Sequence, residues 1–160
     1  MIYEKEGDLF ALPLEEGEPI PLAETPFIET TGRISPDGRF LAYVSNETGR
    51  DEVWVTPFLS QGRRERVSRD GGGLPLWSRD GETLFYLNPS FEAVAVPVRT
   101  GEELTLGTPD VLFRANIHVG PSPWDVLEND EGFLVIARSD EPSDFTIVWN
   151  WAAELDARAR

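Results

Sequence analysis

The sequence repeats itself, and this repeat constrains the fold more than any other feature. Residues 34–44 (ISPDGRFLAYV) return as residues 77–87 (WSRDGETLFYL), so that Ser35 is matched by Ser78 at an offset of 43. The positions shared by the two copies are Ser35, Asp37, Gly38 and Tyr43 in the first and Ser78, Asp80, Gly81 and Tyr86 in the second. A weaker third copy, residues 126–136, has an altered turn. A period of this length indicates an array of similar small units.

A second motif follows each full copy of the first and contains a proline near its end. Residues 51–58 (DEVWVTPF) are similar to residues 91–98 (FEAVAVPV) and, near the start, to residues 7–14 (GDLFALPL). These segments are short and rich in β-branched and aromatic residues, which is typical of β-strands. The prolines of the three segments, Pro13, Pro57 and Pro97, suit edge positions where the ladder requires no N–H.

The two motifs combine into a unit of four strands. The Asp-Gly pairs at residues 37–38 and 80–81 predict tight hairpin turns, since Gly adopts positive φ without steric cost. Strand-like stretches at residues 18–23, 64–68 and 110–115 complete each unit. Four strands over roughly 40–45 residues match the period of a β-propeller blade.

We therefore predict an all-β chain of about three and a half blades, each a four-stranded antiparallel sheet. One propeller segment is expected over residues 1–150, followed by a short helical C-terminal tail over residues 151–160, which holds good helix formers. The expected blades are a partial one at 1–25, full ones at 27–70 and 71–116, and a partial one at 121–150.

The residues that carry these motifs resemble a known family. Residues 35–39 (SPDGR), followed by an apolar strand with a central Tyr, are similar to the WD40-like repeat of TolB-type β-propellers. Residues 43–55 and 71–81 resemble blades of large bacterial proteins in which a serine/threonine kinase domain precedes the propeller, and residues 148–155 resemble the C-terminal ending of such chains. Similar propellers also precede prolyl-oligopeptidase-type hydrolase domains. Residues 127–130 depart from the Ser-Pro-Asp-Gly pattern.

Composition limits the classes of partner. The formal net charge is −15, a field that repels phosphate, so we expect neither nucleic-acid binding nor insertion into a membrane. The absence of cysteine excludes disulfides and thiolate chemistry. Residues 1–6 do not resemble a signal peptide, and the sequence holds no apolar run long enough for a transmembrane helix. A cytoplasmic location is expected if Met1 is the natural start, and an extracytoplasmic one, such as the periplasm, if the chain is a fragment of a longer family member.

Residue types that support catalysis are sparse. His118 is the one histidine, and no Gly-x-Ser-x-Gly elbow accompanies it, which disfavours a nucleophilic triad. The glycines at 71–73 lack the Gly-Lys-Ser/Thr of a phosphate-binding loop and are interpreted as a flexible loop between blades. We predict no catalytic residue and no cofactor.

Two groups of acidic residues invite a chemical interpretation. Asp37 and Asp80 suggest the paired carboxylates of a glycosidase, but their place in Asp-Gly turns favours a role in capping the turn backbone. Glu128, Asp130 and Glu131 lack the alternating ligand spacing of a calcium loop, so a solvated turn is favoured and no metal site is predicted.

One basic patch stands out in this acidic chain and consists of Arg63, Arg64, Arg66 and Arg69. On an outer strand Arg64 and Arg66 share one face, where charge discourages edge-to-edge association. The functional alternative is a site for an anion or an acidic partner. Trp54 and Trp77 are expected to pack between neighbouring blades.

The leading functional hypothesis is a non-catalytic propeller module for protein–protein interaction or ligand sensing, because rigid sheets position variable loops. An alternative is an accessory propeller that gates a kinase or hydrolase domain encoded elsewhere, and a propeller glycosidase is a third. Closed propellers typically use 4–8 blades, so we expect this segment to pack against further blades, from a longer chain or from a second copy.

Overall fold

The computed structural model describes residues 1–23, 25–60, 62–100, 104–114, 124–127, 132–136 and 145–149. The regular elements in these ranges are all β-strands. None of the described residues belongs to a helix that is long and apolar enough to cross a membrane. The chain divides into two compact units, Met1–Pro75 and Leu76–Arg160.

The first unit holds two antiparallel sheets. Sheet 1 has the order β1-β2-β3, and sheet 2 has the order β4-β5-β6-β7. The strands are β1 (Ile2–Lys5), β2 (Asp8–Ala11), β3 (Ile20–Ala23), β4 (Glu29–Ile34), β5 (Phe40–Ser45), β6 (Glu52–Pro57) and β7 (Glu65–Arg66). Consecutive strands are neighbours throughout, which is the meander expected within a propeller blade.

The second unit also holds two sheets, and the first strand of sheet 3 begins just before the boundary between the units. Sheet 3 has the order β11-β10-β9-β8, with β12 also paired to β10, and sheet 4 has the order β13-β14-β15. The strands are β8 (Gly73–Trp77), β9 (Thr83–Leu87), β10 (Glu92–Thr100), β11 (Leu104–Leu106), β12 (Asp110–Arg114), β13 (Trp124–Val126), β14 (Gly132–Ile136) and β15 (Phe145–Trp149).

The hairpin turns follow from glycine. Gly38 and Gly81 adopt φ of 74° and 75° in the turns between the first and second strands of sheets 2 and 3. These are values that a side chain with a Cβ rarely tolerates. The predicted equivalence of the two Asp-Gly pairs therefore extends to the backbone conformation.

The core of the first unit lies between its two sheets. Leu9 of β2 is wholly buried against Leu41 and Tyr43 of β5, and Trp54 of β6 packs against the same cluster. Alternation along each strand places these side chains on one face. Gly32 lets the sheets approach, since a Cβ there would lie 3.1 Å from Ile2 Cγ2.

The core of the second unit is aromatic. The Phe133 ring on β14 lies edge-on to Phe85 of β9 with centroids 4.9 Å apart, and it stacks on Trp124 with centroids 5.4 Å apart. Phe113 of β12 is tilted against the same ring at 5.4 Å. Phe133 is 0% exposed, so it joins sheets 3 and 4.

The structure differs from the sequence prediction in its outer strands. The fourth strand of sheet 2 is only the two-residue β7, and sheet 3 gains a short extra strand, β11, because β10 runs past Pro97. Pro57 and Pro97 lie on third strands rather than edge strands, at positions where β7 and β12 do not pair with them. At Pro57 the missing proline N–H therefore costs no ladder bond, whereas at Pro97 only the carbonyl is bonded, by the Gly107 amide at 2.7 Å.

Two predictions are not decided by the structure. The helical tail at residues 151–160 lies outside the described residues. That residues 1–150 form one propeller segment stays a prediction.

Candidate functional site

The repeated Ser-x-Asp-Gly turns have the same hydrogen bonds in both units. Ser35 Oγ donates to Asp37 Oδ1 at 2.5 Å and accepts from the Phe40 amide, while Asp37 Oδ1 also accepts from the Arg39 amide at 3.1 Å. In sheet 3 the corresponding bonds join Ser78 to Asp80 at 2.6 Å, the Thr83 amide to Ser78 Oγ at 2.9 Å, and the Glu82 amide to Asp80 Oδ1 at 2.9 Å. Both aspartates therefore brace their own turns.

The electrostatics of Asp37 disfavour acid catalysis. The hydrogen bond from Ser35 lowers the pKa of Asp37, and the backbone amide of Arg39 adds to this effect against the opposing influence of burial. A glycosidase general acid requires the opposite, a carboxyl whose pKa is raised. This carboxylate is held in the charged form by the turn that it stabilises.

The four arginines of the basic patch are exposed but not equivalent. Arg64 lies over the Trp54 ring with Cζ 4.8 Å from the centroid, and it donates to the Tyr43 hydroxyl at 3.4 Å and to the Glu47 carboxylate. Arg63 pairs with Glu65 at 3.0 Å on the open surface. Arg66 stands opposite Trp54 in the β6–β7 ladder. The side chain of Arg64 is therefore held against sheet 2 by its contacts with Trp54 and Tyr43.

A buried carboxylate at the start of β6 binds the segment that follows β7. Glu52 is 0% exposed, accepts from Arg50 Nε at 2.9 Å and from the Gly71 amide at 3.1 Å, and is bonded by Ser68 Oγ. Ser68 Oγ in turn accepts from the Val53 amide at 2.8 Å. The glycines predicted to form a flexible loop are thus tied to β6, and Gly71 is buried with φ of 92°.

A second buried carboxylate lies in the same row of the sheet. Glu29 of β4 and Glu52 of β6 both pair with Ser45 of β5, so the three residues run side by side across sheet 2. Glu29 is 0% exposed, and its Oε1 accepts from Thr25 Oγ1 at 2.7 Å and Ser45 Oγ at 3.1 Å. Its Oε2 has no hydrogen-bond partner among the described residues. Sequence reasoning missed both glutamates, because a Glu at a strand end is normally solvated.

The two terminal sheets carry apolar side chains on their outer faces. Tyr3 and Phe10 are paired across β1 and β2, with ring centroids 5.6 Å apart, on the face opposite buried Leu9. On β14, Leu134 and Ile136 are 38% and 41% exposed, opposite buried Phe133 and Val135. Apolar side chains grouped in this way on the outer face of a sheet are typical of surfaces that another element covers.

Some of the residues considered for metal binding or catalysis lie within the described ranges and others lie outside them. Within the described ranges no group of three or more His, Asp or Glu side chains is placed to hold a metal ion. His118 and the acidic residues Glu128, Asp130 and Glu131 lie outside the described residues.

Comparison with known proteins supports the fold. No protein-family profile matches the sequence. Over 78 residues the chain is 33% identical to dipeptidyl aminopeptidase BIII of Pseudoxanthomonas mexicana, which covers 44% of this chain and 11% of that protein. The structure is similar to that of a protein described as TolB from Agrobacterium tumefaciens, with a TM-score of 0.54 and 18% identity over 68% of this chain and 41% of the other.

A second solved structure has the same degree of similarity. It is described as a 6-phosphogluconolactonase from Bacteroides uniformis, with a TM-score of 0.54 and 16% identity over 88% of this chain and 46% of the other. The matches span less than half the length of each of these three proteins. At such identities the structural similarity establishes the architecture and not the activity.

Proposed function

We propose that this run of TolB-type β-propeller blades is a non-catalytic module that binds a protein partner and packs against further blades. The observation that carries the proposal is the pair of apolar outer faces, Tyr3–Phe10 on sheet 1 and Leu134–Ile136 on sheet 4. Water contact with these faces is unfavourable, and covering each with another sheet would bury them. The braced turns of Asp37 and Asp80 support a structural use of the carboxylates that first suggested catalysis.

Molar mass in solution tests the packing part of the proposal. A second copy would supply the covering sheet for the isolated chain, so light scattering should give at least twice 17.9 kDa. The double variant Tyr3→Ser/Phe10→Ser should shift the protein to a folded monomer. Leu14→Ser, at a side chain 96% exposed in the loop after β2, is the matched control and should leave the mass unchanged. A wild-type chain that is a stable monomer contradicts packing against a second copy.

The second candidate is an accessory propeller of a peptidase, favoured by the match to dipeptidyl aminopeptidase BIII. In that case the catalytic groups reside on sequence beyond this chain, and the blades limit access to them. The purified chain should then not hydrolyse chromogenic dipeptide amides by itself. If the purified chain hydrolysed these substrates and His118→Ala abolished the activity, both this candidate and the non-catalytic module would be contradicted.

A further inference from the structure

The repeat distinguishes the two faces of each sheet. In sheet 2, Tyr43 of β5 lies directly opposite Trp54 of β6, so both side chains are on the same face. In sheet 1 the corresponding pair is Tyr3 and Phe10, which are opposite each other across β1 and β2. We call the face that carries the position of Tyr43 in the repeat the rear face of a sheet, and the other one its forward face.

In the first unit, sheets 1 and 2 contact each other through unlike faces. Ile2 and Leu9 lie on the forward face of sheet 1, because alternation places them opposite to the side of Tyr3. Both belong to the cluster that includes Leu41 and Tyr43 on the rear face of sheet 2. The forward side of this contact is aliphatic, and the rear side includes an aromatic pair.

The contact between sheets 3 and 4 in the second unit has the same polarity. Tyr86 marks the rear face of sheet 3, so the neighbouring Phe85 lies on its forward face. In sheet 4 the repeat places Val135 at the tyrosine position, and Phe133, two residues earlier, shares its rear face. The Phe85 and Phe133 rings meet with centroids 4.9 Å apart. In both units a forward face therefore packs on a rear face.

The rear face of sheet 1 is open where that of sheet 2 is covered. Met1 exchanges two backbone hydrogen bonds with Leu12 and extends the β1–β2 ladder beyond Tyr3, on the same face. Met1 is 70% exposed, whereas Leu41, at the same position of the repeat in sheet 2, is 1% exposed. The difference is that sheet 1 lies on the rear face of sheet 2.

The open face of sheet 4 is a forward face. Leu134 and Ile136 lie on it, since they flank Val135 in β14, and Leu134 holds the repeat position that Ile2 holds in sheet 1. These two side chains are aliphatic, as Ile2 is. The open rear face of sheet 1 presents the Tyr3 ring stacked with its partner, as the covered rear face of sheet 2 presents Tyr43 beside Trp54.

We propose that a second copy of this chain covers the rear face of sheet 1 with the forward face of its own sheet 4. This inference rests on the proposed packing against further blades and states which two faces meet. The contact reproduces the one between sheets 1 and 2, with Leu134 in the place of Ile2 and Tyr3 in the place of Tyr43. Because the two patches differ, each copy offers one patch of each kind.

Complementation between two variants tests the pairing of the faces by light scattering. The rear-face variant is Tyr3→Ser/Phe10→Ser, and the forward-face variant is Leu134→Thr/Ile136→Thr, in which threonine preserves a strand-forming residue. Each variant alone should be a folded monomer of 17.9 kDa, because every contact between its copies lacks one patch. Their equimolar mixture should form a complex of twice that mass, through the intact rear face of one variant and the intact forward face of the other.

The other outcomes separate two kinds of failure. If like faces met, one of the two variants would keep the mass of the wild type by itself. That result, or a mixture that stays monomeric, would overturn the pairing of unlike faces. A monomeric wild type would instead contradict packing against a second copy altogether, so failure of the proposed packing is distinguishable from failure of the pairing.

Cysteine cross-linking tests the same pairing while leaving most of each face intact. The sequence has no cysteine, so introduced thiols react only with each other. Copies with Tyr3→Cys, mixed with size-tagged copies with Leu134→Cys, should form a mixed disulfide. Its yield should be about tenfold that of a control in which Leu59→Cys replaces Tyr3→Cys, because binding raises the effective concentration of the paired thiols.

The control matches the exposure of the test position. Leu59 is 57% exposed in the loop after β6, so its thiol is accessible but lies on neither open face. Equal yields in test and control would overturn the proposed contact. Disulfides that join mainly two copies of the same variant would show that like faces meet, and would overturn it as well.

Discussion

Glu52 and Arg50, two residues apart in sequence, form an ion pair of 2.9 Å in which the carboxylate is wholly buried and the guanidinium is half exposed. Arg50 also reaches the Arg69 carbonyl, so the pair joins the start of β6 to the segment that leads into sheet 3. The carboxylate accepts bonds from both Ser68 and Gly71. One side chain thus holds the segment after β7 against the start of β6.

Removing the Glu52 carboxylate should destabilise the first unit. Glu52→Ala leaves the buried Ser68 hydroxyl and Gly71 amide without their acceptor, and we expect a loss of about 3 kcal/mol in the free energy of unfolding. Urea unfolding measures this loss. Asp70→Asn, at a side chain that is fully exposed in a 3.7 Å ion pair with Arg50, is the control and should cost less than about 0.5 kcal/mol. Comparable losses for the two variants would show that the burial of Glu52 does not explain its contribution to the free energy of unfolding.

Arg64 should contribute more to stability than its neighbour Arg63. Arg64→Ala removes the cation–π contact with Trp54 and the bond to Tyr43, and should cost about 1–2 kcal/mol in urea unfolding. Arg63→Ala changes a side chain 86% exposed and should be nearly neutral. Tryptophan fluorescence of the folded protein should shift for Arg64→Ala alone. An equal shift for the two variants would contradict the assignment of Arg64 to Trp54.

The turn at Asp37 predicts a specific dependence on pH. The hydrogen bond from Ser35 lowers the folded-state pKa of Asp37 below its unfolded value. The resulting stabilisation is present above the unfolded pKa and is lost as pH falls through the folded pKa. The difference in melting temperature between wild type and Asp37→Asn should therefore be largest near neutral pH and shrink below about pH 4. A difference that is constant from pH 7 to pH 2.5 would contradict this account.

Substitutions on the buried face of β14 should destabilise the second unit more than substitutions on its opposite face. Phe133→Ala removes a wholly buried ring that contacts Phe85, Phe113 and Trp124, and should cost about 3–5 kcal/mol. The adjacent Leu134→Ala changes a side chain on the opposite face and should cost less than about 1 kcal/mol in the monomeric chain. Thermal unfolding of the two variants measures both. A reversed order would mean that the register of β14 is shifted by one residue.

Local chemistry made the strands and turns predictable. Asp37 with Gly38 and Asp80 with Gly81 specify their turns because the side chain and the positive φ act within four residues. The continuous apolar runs around Tyr43 and Tyr86 likewise indicate second strands that are buried on both faces. The extra strand β11 was not predicted, since it exists only because β10 continues past Pro97. The last residues of β10, from Val98 to Thr100, then pair with β11.

The β-propeller repeat, its period and its turn chemistry can be predicted from the sequence alone, because each depends on residues close together in the chain. The tertiary structure is needed to show which charged groups are buried. Glu29 and Glu52 meet Ser45 across three strands, and Arg64 meets Tyr43 from 21 positions away. It also shows that Ile28, which is exposed, is held in place by hydrogen bonds of its backbone with Asn46. Such pairings depend on register and loop packing, which no local pattern encodes.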